Sequence, residues 1–139
     1  MEATLVERLP TVAEYQRLRD HVGWGNIPDE YTEAGLQHSL YAVCLEQAGK
    51  LVGFGRVVGD GNIYFYIQDI IVITEYRGQG YSTRIMDAII DWINAHAPDG
   101  AMVALLSVKG VEGLYEQYGF IARPSALYGA GMFQIVRKS

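Results

Sequence analysis

Apolar positions change period several times along the chain, and each change predicts an element. Thr4 to Arg8 alternates as a short strand. After Pro10 the period becomes helical, with Val12, Tyr15, Leu18 and Val22 at three- and four-residue steps. Thr11 stands at the N-cap of that helix, and Glu14 supplies the second half of a capping box. The run Gly23-Trp24-Gly25-Asn26-Ile27-Pro28 breaks the pattern. Thr32 to His38 predicts a second, short helix with Thr32 as its cap. Tyr41 to Gln47 and Leu51 to Val58 read as strands joined by the turn Ala48-Gly49-Lys50. Asp60-Gly61-Asn62 is a further turn, and Ile63 to Ile73 is a long strand of β-branched and aromatic residues. A helix from about Ser82 to His96 carries the stripe Ile85, Met86, Ile89, Ile90 and Ile93. Ala101 to Val108 predicts a buried strand, and Glu112 to Tyr118 a short helix closed by Gly119. Phe120 to Ala122 and Met132 to Arg137 can form two last strands.

The resulting order, β-α-α-β-β-β-α-β-α-β-β, predicts an α/β (α+β) chain whose mixed sheet carries helices on its faces. A length of 139 residues suits one domain, residues 1–139, and the first helix pair is too short to bury a core of its own. A net charge of −5 without any Lys/Arg-rich run argues against nucleic acid as a partner. No apolar stretch approaches the roughly 20 residues of a membrane span, so no membrane partner is expected. The first ten residues lack the apolar centre of a signal peptide, and the cytoplasm is the expected compartment. The single cysteine, Cys44, lies in an apolar run and reads as a buried strand residue rather than a nucleophile. His21, His38 and His96 have no metal-ligand spacing, and no metal is expected.

The chemistry-bearing stretch runs from Asp69 to Arg84: a strand, a glycine turn and a helix start. The free N–H groups of a first helical turn converge on one spot, and the helix dipole adds positive potential there. Gly78 and Gly80 allow close backbone approach, and Arg77 adds a planar donor fork suited to phosphate. A nucleotide-triphosphate loop would need a Lys-Ser/Thr pair that does not follow here. A dinucleotide fold would need a third glycine and an acidic residue about 20 positions on. Only Gly78-x-Gly80 is present, in the middle of the chain.

Arg77-x-x-Gly80-x-Ser82 resembles instead the R/Q-x-x-G-x-G/A pyrophosphate loop of the GNAT acetyltransferases. The wider run from Val72, with Tyr76-Arg77-Gly78-Gln79-Gly80, is similar to that family's signature. Leu114-Tyr115-Glu116-Gln117-Tyr118-Gly119-Phe120 resembles its Leu/Phe-Tyr-Glu-x-x-Gly-Phe segment, and the element order is similar over nearly the whole chain. Three positions depart: Ser82 replaces Gly/Ala, Thr74 replaces the common Pro, and Val108 stands where many relatives carry a cofactor-contacting Asn.

The resemblance implies the GNAT acyl-CoA N-acyltransferase fold with acetyl-CoA as cosubstrate. Its pyrophosphate would lie on the amides of Arg77, Gly78, Gln79, Gly80, Tyr81, Ser82 and Thr83, and its pantetheine arm on the backbone of Ile71, Val72 and Ile73. It implies direct acetyl transfer to the primary amine of a small molecule in a ternary complex. Tyr115 matches the family's general acid, Val72 N–H is the candidate oxyanion donor, and Asp69 is a candidate base or ammonium ligand. The alternative for Asp69 is an ion pair with an arginine such as Arg56, because a carboxylate is costly to bury unpaired. Trp24, Ile27 and Tyr31 fall where such folds cover the substrate. The run Gly129 to Phe133 is loosely similar to the ends of aralkylamine acetyltransferases, which implies an aromatic or aliphatic amine. A protein acetyltransferase acting on Lys or an N-terminus, and a CoA-binding regulatory module without catalysis, stay open as alternatives. Relatives are often dimers, which leaves a homodimer open.

Overall fold

The computed structural model describes residues 2–138; Met1 and Ser139, the ends of the expected domain, lie outside the described residues. The chain divides into two compact units, Met1–Leu105 and Leu106–Ser139.

The first unit runs β1 (Thr4–Val6), α1 (Val12–Val22), α2 (Asp29–Gln37), β2 (Tyr41–Gln47), β3 (Lys50–Gly59), β4 (Tyr64–Val72), a 3-10 turn (Thr74–Tyr76), α3 (Tyr81–His96) and β5 (Met102–Leu105). The five strands form one sheet in sequence order. β1 to β4 pair antiparallel, and β5 joins β4 in parallel after the crossover through α3. This is the mixed sheet the pattern of elements predicts.

Local chemistry explains the ends of the elements. Thr11 and Glu14 form the expected capping box, and Gly23 closes α1 in a left-handed conformation. The β2–β3 hairpin turns on Ala48 and Gly49, both at positive φ (53° and 74°), as a tight two-residue turn requires. α2 begins earlier than expected, at Asp29 behind Pro28. Thr32 is therefore not its cap: it lies buried within the helix and its hydroxyl donates to Ile27 O.

Strand alternation sorts the core into two layers. Cys44 faces Phe54 across the β2–β3 ladder, and both pack with Tyr15, Leu18, Leu36, Leu51 and Ile71 beneath α1 and α2. Gly53 and Gly55 alternate with Phe54 and so face the opposite side, where α3 buries Ile85, Met86, Ile89 and Ile93. A Cβ on Gly55 would lie 2.6 Å from Ile85 Cγ2 and 3.0 Å from Ile89 Cδ1. The missing side chain is what lets α3 lie this close to the sheet.

The second unit contains α4 (Glu112–Glu116), after which Gly119 takes a left-handed turn (φ 88°). The two strands expected at Phe120 to Ala122 and Met132 to Arg137 are not formed among the described residues. Apolar alternation supplies the side-chain pattern of a strand but not the neighbouring edge that its backbone needs.

Candidate active site

The site is built on a break in β4. Arg56 pairs with Gln68 and Phe54 with Ile71, so Asp69 and Ile70 together oppose Gly55 in a β-bulge. Asp69 takes the left-handed conformation there (φ 63°), which Asp tolerates better than most residues. The bulge changes which way the strand faces. Phe65 lies edge-on to Trp92 of α3, whereas Asp69, four residues on, bonds Tyr15 of α1 on the other side of the sheet. Without the extra residue, positions 65 and 69 would share a face.

Asp69 is fully surrounded. Its Oδ2 accepts from Tyr15 Oη and Arg56 Nε, each at 2.8 Å, and its Oδ1 accepts from Gln68 Nε2 at 3.2 Å. Its side chain has no exposure and that of Arg56 has 15 %. Of the two readings weighed for Asp69, the ion pair with Arg56 is the one formed. Three donors thus hold the carboxylate in a fixed position. Arg56 extends the network to the end of α2 through Gly35 O and Ser39 Oγ. Burial, then the Asp69 charge, raises the Tyr15 phenol above its ordinary range and keeps it a donor. Asp69→Ala should cost about 2–4 kcal/mol in denaturant unfolding, because it strands a part-buried guanidinium and a buried phenol. Asp69→Asn, which keeps the left-handed preference, should cost less.

Beyond the bulge, β4 has an edge that β5 does not pair. β5 accompanies β4 only from Tyr64 to Ile67. Ile73 N–H donates to Val52 O at 2.9 Å, so it faces β3, and Val72 therefore turns its N–H and C=O to the other edge. That carbonyl accepts from Arg77 Nε at 3.2 Å. Of the three backbone positions expected to hold a pantetheine arm, only Val72 offers a donor at this edge. Ile71 faces β3 opposite Phe54, while the N–H of Ile73 bonds Val52 and its carbonyl accepts from Tyr76 N–H.

The 3-10 turn then delivers the chain to Gly78 and Gly80, both left-handed at φ 81° and 77°. Gly80 is the N-cap of α3 and makes no side-chain cap bond. The first i to i−4 hydrogen bond of the helix is Arg84 N–H to Gly80 O, so the amides of Tyr81 and Ser82 have no such partner within the helix. No carboxylate lies in that turn. A Cβ built on Gly78 or Gly80 would have nothing within 4 Å, so the space over the turn is open. These residues fit a pyrophosphate: the amides of Tyr81 and Ser82 at the positive end of a 16-residue helix, and the exposed Arg77, whose Nη groups have no protein partner among the described residues. Gln79, Ser82 and Thr83 lie on this same turn. Tyr81 is different: its side chain is buried, its hydroxyl accepts from Ala3 N–H and donates to Gln47 Oε1, and only its amide belongs to the turn.

The segment carrying Trp24, Ile27 and Tyr31 is held by α1. Arg19 donates to Gly25 O and Trp24 O, with its guanidinium 5.9 Å from the Trp24 ring. Gln16 Nε2 donates to Ile27 O at 2.7 Å. Trp24, Ile27 and Tyr31 are all exposed (38, 47 and 66 %), so none of them is a core anchor. Tyr15, Gln16 and Arg19 are the residues that sequence reasoning missed. Their signal, polar groups on the α1 face that also carries the apolar stripe, has no meaning until the bulge aims Asp69 at that face.

In the second unit Tyr115 is buried, edge-on to Phe120 at 6.4 Å, and its hydroxyl makes no hydrogen bond to the protein among the described residues. Burial raises its phenol above the ordinary value, so it holds its proton at neutral pH. Cys44 is buried and its thiol is pushed up to about 12, which leaves it inert as a nucleophile. Among the described residues no group of three or more His, Cys, Asp or Glu could hold a metal ion, and no helix is long and apolar enough to cross a membrane.

A mixed five-stranded sheet with a glycine turn between its fourth strand and α3 matches the acyl-CoA N-acyltransferase fold, and the class is an acyltransferase. Residues 9–120 match the model of the Acetyltransferase (GNAT) family, and the chain belongs to that family as an N-acetyltransferase. A protein of unknown function from meticillin-resistant Staphylococcus aureus superposes with a TM-score of 0.88 at 31 % identity, covering 96 % of this chain and 99 % of that one. An uncharacterised N-acetyltransferase of Porphyra purpurea is 27 % identical over 120 residues, which are 84 % of this chain and 68 % of the relative. The chloroplastic serotonin N-acetyltransferase 2 of Oryza sativa subsp. japonica is 27 % identical over 117 residues, 81 % of this chain and 58 % of that protein.

Proposed function

We propose that the chain transfers an acetyl group from acetyl-CoA to the primary amine of a small molecule, by direct attack in a ternary complex. One observation carries this reading: a glycine turn at the amino end of α3 closely follows a strand edge that β5 leaves open at Val72. Acetyl-CoA supplies an acetyl thioester as electrophile. Arg77 and the amides from Gly78 to Thr83 hold its pyrophosphate. The outward N–H of Val72 is assigned the acetyl carbonyl oxygen, where negative charge grows as the amine adds. Tyr115 is assigned the proton that the departing thiolate takes up. Asp69 is assigned a positioning role, fixing the bulge that aims Val72. With no base assigned, the amine enters as its free base and its proton leaves to water.

The exposed apolar residues Trp24, Ile27 and Tyr31 favour an amine with an aromatic or aliphatic body, in keeping with the serotonin substrate in the name of the rice relative. A panel of alkylamines, arylalkylamines and lysine peptides, assayed by thiol release from acetyl-CoA, tests this. Arylalkylamines should be best, and Trp24→Ala should raise their KM about threefold to thirtyfold through lost apolar contact. A clear preference for lysine peptides would overturn the small-molecule assignment.

A further inference from the structure

The phosphate turn departs from its family pattern at Thr74, where a proline is common, and the departure has a partner. Thr74 N–H donates to His21 Nε2 at 3.1 Å, and Thr74 Oγ1 lies 2.8 Å from the same nitrogen. His21 is the penultimate residue of α1, 53 positions away in sequence. Thr74 opens the 3-10 turn that leads through Arg77 to Gly78 and Gly80. A ring nitrogen that accepts an N–H carries no proton, so the imidazole is the neutral tautomer with its proton on Nδ1.

We propose that His21 is a positioning residue for the phosphate turn, anchoring Thr74 by hydrogen bonds where relatives fix the same point with a proline ring. Proline would set φ near −65° and remove the N–H, so it would need no acceptor. The backbone is already shaped for it. Ile73, at φ −59° and ψ 137°, has the conformation preferred before proline, and the first position of a helical turn is where proline fits. Threonine in that place keeps an N–H and gains a hydroxyl, and His21 engages both. The anchor is also conditional. Protonation turns Nε2 from acceptor to donor: it can still donate to Thr74 Oγ1, but it then meets the Thr74 N–H with another N–H.

The charged and titratable residues near in sequence to the two partners are Arg17, Arg19 and Asp20 on α1 and Glu75, Tyr76 and Arg77 along the turn, and Lys50 stands two positions before Val52, whose carbonyl bonds Ile73. All are kept in the variants below.

This inference rests on the acetyl-CoA reading for its effect on binding, but not for its effect on the Thr74 amide. The test takes the native chain, His21→Ala, Thr74→Pro and the double variant. Acetyl-CoA affinity is measured at about pH 8 and about pH 5.5, with the kinetic constants, and amide hydrogen exchange at Thr74 is followed where that amide exists. His21→Ala should weaken acetyl-CoA about threefold to tenfold near pH 8, through KM with kcat unchanged, and should speed Thr74 exchange by a similar factor. Thr74→Pro, alone or with His21→Ala, should bind within about twofold of the native chain and lose the extra weakening that acid brings. Native affinity and native Thr74 exchange in His21→Ala would overturn the proposal, as would a double variant as weak as His21→Ala. If the native chain fails to bind acetyl-CoA while His21→Ala still speeds Thr74 exchange, the anchor stands and the cofactor reading falls.

Discussion

Tyr115→Phe should lower the rate of acetyl transfer by about 10²–10⁴-fold while leaving acetyl-CoA affinity unchanged. The substitution removes one hydroxyl from a buried ring and keeps the ring's edge-on contact with Phe120. That hydroxyl makes no hydrogen bond to the protein among the described residues, so its removal strands no partner and should leave thermal unfolding near the native value. A proton donor for a leaving thiolate must be protonated at working pH, and burial raises the Tyr115 phenol, which favours that form. Turnover should rise with pH as the amine substrate loses its proton, and should decline only above the ordinary tyrosine value of about 10. In Tyr115→Phe the alkaline decline should vanish together with most of the rate. An unchanged rate would remove Tyr115 from the chemistry and return it to the core.

The double variant Arg77→Glu/Gly80→Asp should lose acetyl-CoA binding by more than about a hundredfold. It replaces a guanidinium by a carboxylate at the mouth of the turn and sets a second carboxylate at the N-cap of α3. Facing a pyrophosphate, like charges cost several kcal/mol, and each 1.4 kcal/mol is about tenfold in affinity. The fold should survive. A Cβ at Gly80 meets nothing within 4 Å, Asp is among the residues best tolerated at its left-handed φ, and Arg77 is exposed with one hydrogen bond to Val72 O. Lost binding with a native unfolding profile therefore assigns the loss to the site.

What the sequence made legible was local. The capping box of α1, the Ala48-Gly49 hairpin, the stripe of α3 and the glycine turn at Gly78 and Gly80 each depend on residues a few positions apart, and each formed where the pattern placed it. The start of α2 was misplaced because Thr32 is a good cap in isolation, whereas Pro28 with Asp29 and Glu30 opens the helix a turn earlier. The last two strands failed for the reason that alternation carries no partner edge.

In the site, Asp69 was visible as an anomaly, a carboxylate in an apolar strand. Its role was not, since that depends on a bulge created by pairing between β3 and β4 and on Tyr15, 54 residues away. Val72 was named for its N–H, but that its neighbours Ile71 and Ile73 turn to β3 follows only from the ladder register. Thr74 stood out as a departure from the family pattern, while His21 carried no sign of its part because its partner lies in another element.

The central claim is that the glycine turn is a site for acetyl-CoA, and calorimetric titration of the native chain with acetyl-CoA tests it most directly. Saturable binding with a stoichiometry of one, absent in Arg77→Glu/Gly80→Asp, is the predicted result. A native chain that releases no heat and shows no thermal stabilisation with excess acetyl-CoA would contradict it, and the turn would then be a structural loop only.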